Sequence, residues 1–152
     1  PGLIFPRTPV LNISDDFYVL NGSPWRYQGP HTLKDKHMGV IEGYGYGRVV
    51  QDFMAANQSR VGMVVTAHGK DALQQNMANL RAGKIDVLVE SRPVMDYTLK
   101  TKSDSQIIWA GGIEQGPVYL AFSPVLPASR SLAASYDAGV EKLKSTGESA
   151  RI

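Results

Sequence analysis

Lys36-His37-Met38-Gly39-Val40-Ile41-Glu42-Gly43-Tyr44-Gly45-Tyr46-Gly47-Arg48-Val49-Val50-Gln51-Asp52-Phe53-Met54 holds the transition on which the fold turns. Met38-Gly39-Val40-Ile41 is a short apolar run of strand type. The glycine-rich turn at 43–47 follows, and then Val49, Val50, Phe53, Met54 and Ala56 recur at i, i+3, i+4 spacing through about Asn57. A buried strand handing over to an amphipathic helix is the unit from which a parallel sheet with crossover helices is built.

The same alternation continues downstream. Residues 61–66 read as a second strand and 70–82 as a second helix, with Leu73, Met77 and Leu80 on one stripe and Gly83 placed to end it. Residues 85–89 read as a third strand. Pro93 then sits in the first turn of a helix reaching about Thr101, with Val94, Met95 and Leu99 inward. Residues 106–110 and 118–122 read as two more strands, separated by the Gly111-Gly112 and Gly116-Pro117 breaks. A last helix over about 130–144 carries Leu132, Tyr136, Val140 and Leu143 as its apolar stripe. Upstream, Phe17-Tyr18-Val19-Leu20 is a strand closed by the turn Asn21-Gly22-Ser23-Pro24. Residues 1–13 carry three prolines and no clear period, and the opening Pro1-Gly2-Leu3-Ile4-Phe5-Pro6 reads like the middle of a longer protein, with no signal peptide in front of it.

At 152 residues the chain fits one domain of ordinary size. Its 16 basic and 14 acidic residues are interspersed, giving a net charge of +2, so the clustered basic stripe of a nucleic-acid surface is absent. No apolar run approaches the length of a membrane span. Cysteine is absent, which removes disulfides, thiolate nucleophiles and cysteine metal sites and leaves the redox compartment open.

The loop Gly43-Tyr44-Gly45-Tyr46-Gly47 joins a strand to a helix, where backbone N–H groups at the helix start can meet an anionic group. It fails the dinucleotide fingerprint, because Arg48 stands where the third glycine belongs. Tyr44 and Tyr46 suit a ligand wall, or else they cover the helix end. Glu90 and Ser91 lie just past the third strand on the same carboxyl edge, where α/β sheets bind ligands. Ser91 also suits an N-cap, and Glu90 a solvated rim charge or a salt bridge with Arg92. His31, His37 and His68 fall in separate segments without helical ligand spacing or a carboxylate partner, so no metal or other cofactor is expected. Asp15, Asp16 and Asp35 read as solvated loop residues, and Trp25 and Tyr27 as interface anchors or ordinary surface aromatics. No nucleophile has a base and an orienting acid placed by sequence.

Four stretches, in this order, resemble the type 2 periplasmic solute-binding proteins of the family that delivers amino acids and related solutes to ABC importers. They are Phe17-Tyr18-Val19-Leu20-Asn21-Gly22-Ser23-Pro24-Trp25, Leu33-Lys34-Asp35-Lys36-His37-Met38-Gly39-Val40-Ile41-Glu42-Gly43, Leu80-Arg81-Ala82-Gly83-Lys84-Ile85-Asp86-Val87-Leu88-Val89 and Val118-Tyr119-Leu120-Ala121-Phe122-Ser123-Pro124. The resemblance implies a three-layer α/β/α sandwich whose mostly parallel sheet takes one antiparallel crossing strand. It divides the chain into a first-lobe or hinge remnant at 1–16, the ligand-binding lobe at 17–125 and a helical segment at 126–152 that packs on the first lobe.

By position, Gly43, Tyr44, Gly45 and Tyr46 fall on the loop that holds the ligand's anionic group. Ser91 falls where amino-acid binders place an aspartate for the α-ammonium group. A serine cannot neutralise an ammonium ion, so either Glu90 takes that part or the ligand is not an ordinary α-amino acid. The function implied is non-covalent capture of a small polar solute in an interlobe cleft, in the periplasm or outside the cell, for delivery to ABC permease subunits. A periplasmic sensor domain of the same fold is the alternative, and an enzyme with Glu90 as acid/base group the third reading. Without a partner lobe the crossing strands and the last helix expose apolar surface, from which self-association is expected.

Overall fold

The computed structural model describes residues 2–147. In chain order these residues form β1 (Leu11–Leu20), a 3-10 turn (Pro30–Leu33), β2 (Met38–Ile41), α1 (Arg48–Asn57), β3 (Val64–Ala67) and α2 (Ala72–Arg81). Then come β4 (Val87–Glu90), α3 (Arg92–Lys102), β5 (Ile107–Val118) and α4 (Ser129–Ser145). Residue 1 and residues 148–152, assigned above to the flanking segments, lie outside the described residues. The chain divides into two compact units, Ile13–Gln115 and the described residues on either side of it.

The larger unit holds a five-stranded sheet in the order β3-β2-β4-β1-β5. β2 runs parallel to β3 and to β4, while β1 runs antiparallel to β4 with Asp16 opposite Glu90, Phe17 opposite Val89 and Tyr18 opposite Leu88. Because side chains alternate across a strand, this register sorts the core into two layers. Phe17, Val19, Met38, Val40, Val87 and Val89 face α1 through Val50, Phe53 and Met54. On the other face, Tyr18 and Leu88 pack with Met77 and Leu80 of α2 and Met95 of α3. The result is the expected α/β/α sandwich with an antiparallel strand in a mostly parallel sheet.

Several elements differ from the sequence reading. β3 begins at Val64, because Gly62 turns at φ +83 and leaves Val61 fully exposed. β1 starts six residues earlier than Phe17. In place of the strands read at 106–110 and 118–122 there is one strand, β5, which continues from Ile107 through the expected glycine breaks to Val118, since glycine lets Gly111 take φ +122 without ending the ladder, and the strand expected at 118–122 does not form. Beyond Val118 only an isolated bridge between Phe122 and Ile4 remains. In α3 the buried positions are Met95 and Thr98, whereas Val94 is exposed.

α4 departs most. Its buried positions are Ser129, Ala133 and Asp137, one helical face of small and polar residues, while Leu132 and Leu143 of the expected apolar stripe are exposed. The reason is the N-terminal segment, which docks through polar atoms. The amides of Arg7 and Thr8 donate to the Asp137 carboxylate at 3.1 and 2.9 Å, and the Tyr136 hydroxyl donates to the Pro9 carbonyl at 3.3 Å. The Arg7 amide foremost, then Thr8 and the Arg7 charge, hold Asp137 below the ordinary carboxylate range against a partial opposition from burial. A depressed folded-state pKa stabilises above the unfolded value and is lost as pH falls through the folded one. Asp137→Ala is therefore expected to lower the protection of the Arg7 and Thr8 amides against hydrogen exchange, relative to the intrinsic rate at the same pH, and acidification through the Asp137 titration to lower that protection in the wild type. Unchanged protection at both amides would count against this anchor.

Candidate functional site

Parallel strands deliver their following loops to one sheet edge, and here β2 and β4 are neighbours. The loop after β2 therefore meets the end of β4. Tyr44, Gly45, Tyr46, Glu90 and Ser91 line one cavity of about 150 Å³, together with Ile13, Ser14, Asp15 and Gln115. Gly43 does not line it; at φ +77 it makes the turn that leads the tyrosines there.

The two tyrosines have different surroundings. Tyr46 is buried, and its hydroxyl oxygen accepts the Ile41 amide at 2.7 Å. Burial pushes its phenol up, with Glu90 and Asp15 adding to the effect. Tyr44 is 50% exposed, with its ring 6.1 Å from that of Tyr46 and tilted to it. Its phenol is also pushed up, by burial and then by the Glu90 charge. Tyr46 fixes the loop, and Tyr44 is the ring with an open face.

The carboxylates correct the sequence reading. Asp15 and Asp16 are each only 3% exposed, inside β1 rather than in a loop. Asp15 accepts the Gly47 amide at 2.8 Å and the side-chain amide of Gln115. Gly47 is the N-cap of α1, so a carboxylate of the protein occupies the helix start that could have met an anion. Burial pushes Asp15 up, partly offset by those two hydrogen bonds. Asp16, on the other face, accepts Trp109 Nε1 and Ser14 Oγ and pairs with Arg92 at 3.3 Å. The Arg92 guanidinium lies 4.2 Å over the Trp109 ring.

Glu90 is neither a rim charge nor the partner of Arg92. It is 2% exposed, and its Oε1 accepts the Ser91 amide at 2.8 Å and the Ser91 hydroxyl at 3.3 Å. Oε2 is buried without a hydrogen-bond partner. Burial pushes the carboxyl up, and the Ser91 donors only partly restore it. Ser91 stands at the N-cap of α3 but makes no side-chain capping bond, because its hydroxyl is turned to Glu90. The sequence reads Asp15 as a solvated residue rather than as part of the cavity, and it does not single out Gln115 at all. They belong to β1 and β5, one hundred residues apart, and no local pattern joins them.

Two histidines do have carboxylate partners, contrary to the reading above. His37 Nδ1 lies 2.9 Å from Asp86, and His68 Nδ1 lies 2.9 Å from Glu42. Both pairs join residues distant in sequence. Trp25 and Tyr27 are not surface anchors; they pack on Phe17. Among the described residues no group of three or more potential metal ligands comes together, and no helix is long and apolar enough to cross a membrane.

No protein-family model and no curated protein matches the chain. Solved structures do. A probable amino-acid ABC transporter extracellular-binding protein from Bacillus subtilis superposes with a TM-score of 0.69 at 16% identity, over 96% of this chain and 60% of that one. The second substrate-binding domain of a putative amino acid ABC transporter from Streptococcus pneumoniae gives 0.63 at 22% identity, over 97% and 61%. An ancestral arginine-binding protein bound to arginine gives 0.62 at 18% identity, over 95% and 60%. The chain thus has the α/β fold of a type 2 periplasmic-binding-protein lobe, and it spans about three-fifths of the length of these neighbours.

Proposed function

We propose that the chain captures a small polar solute, an amino acid or a related compound, as part of an extracytoplasmic binding protein that serves an ABC importer. The observation that carries this reading is the convergence of Tyr44, Gly45 and Tyr46 with Glu90 and Ser91 around one cavity at the carboxyl edge of the sheet. A few directed polar groups beside aromatic surface are what a small-solute site requires. Binding is non-covalent, with affinity from hydrogen bonds and from the open face of Tyr44. The fold supports the same reading, since the neighbours named above are described as binding proteins, one of them holding arginine. None of those three is described as a sensor or an enzyme, so the reading as a binder stands ahead of both alternatives.

The test is a thermal-shift screen against amino acids, their polar analogues and small carboxylates, because a ligand that binds only the folded state raises apparent stability by mass action. One solute class should raise the midpoint. Tyr44→Ala is expected to weaken that solute about tenfold, equivalent to about 1.4 kcal/mol, with little change in the stability of the free protein, as Tyr44 is half exposed. Equal affinities in wild type and variant would remove Tyr44 from the site, and no shift with any class would remove the solute reading itself.

A further inference from the structure

A second cavity, of about 300 Å³, shares Asp15 and Gln115 with the cavity described above. The hydrogen bond from the Gln115 side-chain amide to Asp15 is therefore a partition between the two. Its two sides differ in freedom. Asp15 is buried and also holds the Gly47 amide, whereas Gln115 is exposed and its side chain is tied by that bond to Asp15. Beyond the partition one wall is apolar, made by Val49 of α1 and Ile113 of β5, both partly buried against the core. The same lining carries one charge of each sign, Arg48 and Glu114. Neither is firmly committed. Arg48 reaches Asp52 at 3.5 Å, but those side chains are 91% and 71% exposed, and so open a pair holds weakly. Among the described residues Glu114 stands in no ion pair, with Arg48 or with any other cation. The start of α1 contributes no free donor at its cap, because the Gly47 amide is spent on Asp15.

We infer that this second cavity is a distal compartment of the solute site, where Arg48 and Glu114 take a second zwitterionic head, so that the preferred solute carries a charged head at each end of an aliphatic stem. This rests on the reading of the first cavity as a solute site. Arg48 donates to the distal carboxylate, a group its planar fork of N–H donors matches. Glu114 accepts from the distal ammonium group, and Val49 and Ile113 cover the last carbons of the stem. Size supports the assignment. The first cavity, at about 150 Å³, is smaller than the roughly 300–1,000 Å³ of small-molecule sites, and the second brings the space into that range. Charge selects the head. A carboxylate alone leaves Glu114 facing a like charge, and an ammonium alone does the same to Arg48, whereas a head with both groups answers both. For the stem to pass, the exposed Gln115 side chain releases Asp15 and turns to solvent. Asp15 keeps the Gly47 amide, so the tyrosine loop stays anchored to the start of α1.

The experiment is calorimetric titration of the whole chain with probes that share one stem. Diaminopimelate has both heads, α-aminopimelate lacks the distal ammonium group, lysine lacks the distal carboxylate, and norleucine lacks both. Diaminopimelate is expected to bind about fivefold more tightly than α-aminopimelate or lysine, the scale of an exposed charge pair. Arg48→Gln should weaken diaminopimelate and α-aminopimelate by about fivefold without weakening lysine or norleucine, and Glu114→Gln should weaken diaminopimelate and lysine without weakening α-aminopimelate. Both side chains are exposed, so the variants keep the fold. If the probes bind within about twofold of one another, or if Arg48→Gln weakens all of them alike, the distal compartment is overturned and the solute reading stands. If none of them binds, the compartment is overturned as well, and the thermal-shift screen decides the solute reading on its own.

Discussion

Replacing Phe17 with alanine is expected to lower the unfolding free energy by about 3–5 kcal/mol, the range for removing a buried phenylalanine. Phe17 has no exposed surface. Its ring stacks on Tyr27 at 4.5 Å between centroids and meets the edge of Trp25 at 6.1 Å, while Val19, Val40 and Val89 close the other sides. The void left by alanine cannot collapse easily, because β1 lies between β4 and β5 and both backbones are held by the ladder. Urea unfolding followed by tryptophan fluorescence measures the loss, and Trp25, which touches the site of the change, reports on it directly. Val61→Ala is the reference, since Val61 is fully exposed and its loss should stay within about 0.5 kcal/mol. A cost for Phe17→Ala below about 1 kcal/mol would mean that the layer between the sheet and α1 is not the core described here.

What the sequence disclosed follows the range of the interactions involved. β2 and β4 are buried throughout and therefore read as plain apolar runs, and α1 and α2 show their periods because each covers the sheet with one face. Gly83 at φ +67 ends α2 where a glycine stop was expected. The gathering of Tyr44, Gly45, Tyr46, Glu90 and Ser91 was legible because parallel strands bring their following loops to one edge. Asp15 and Asp16 were not, since a carboxylate reads as solvated unless its donors are known, and Gly47, Gln115, Arg92 and Trp109 come from four other places in the chain. The same holds for Glu90, whose burial depends on β1 crossing beside it. In α4 the apolar period was real, but it did not say which face the chain itself would cover. Asp137 and the amides of Arg7 and Thr8 decided that, and the hydrophobic period carries no information about them.

Gly39→Val is expected to destabilise the protein by about 3 kcal/mol, at the upper end of the usual cost of overpacking. Gly39 sits in β2 with strands on both sides, opposite Val65 and Leu88. A Cβ built there would lie 2.4 Å from Ile85 Cδ1, 3.1 Å from Asn76 Oδ1 and 3.2 Å from Asn76 Cγ. The tip of Ile85 can rotate away, so alanine alone should cost about 1–2 kcal/mol. Asn76 has less freedom, because its side-chain amide donates to the Val40 carbonyl at 2.8 Å and ties α2 to the sheet. The further carbons of valine must therefore push α2 outward, against the packing of Met77 and Leu80. Gly139→Ala makes the opposite case, since nothing lies within 4 Å of its Cβ position in α4, and a gain of about 0.5–1 kcal/mol is expected from helix propensity. Urea midpoints for the three variants test the ranking, and a Gly39→Val protein as stable as wild type would show that α2 is not tied to β2 as described. β2 leads straight into Gly43 and the tyrosine loop, so a folded Gly39→Val protein should also lose solute affinity. The strand that the smallest residue allows α2 to approach is the one that carries Tyr44 to Glu90.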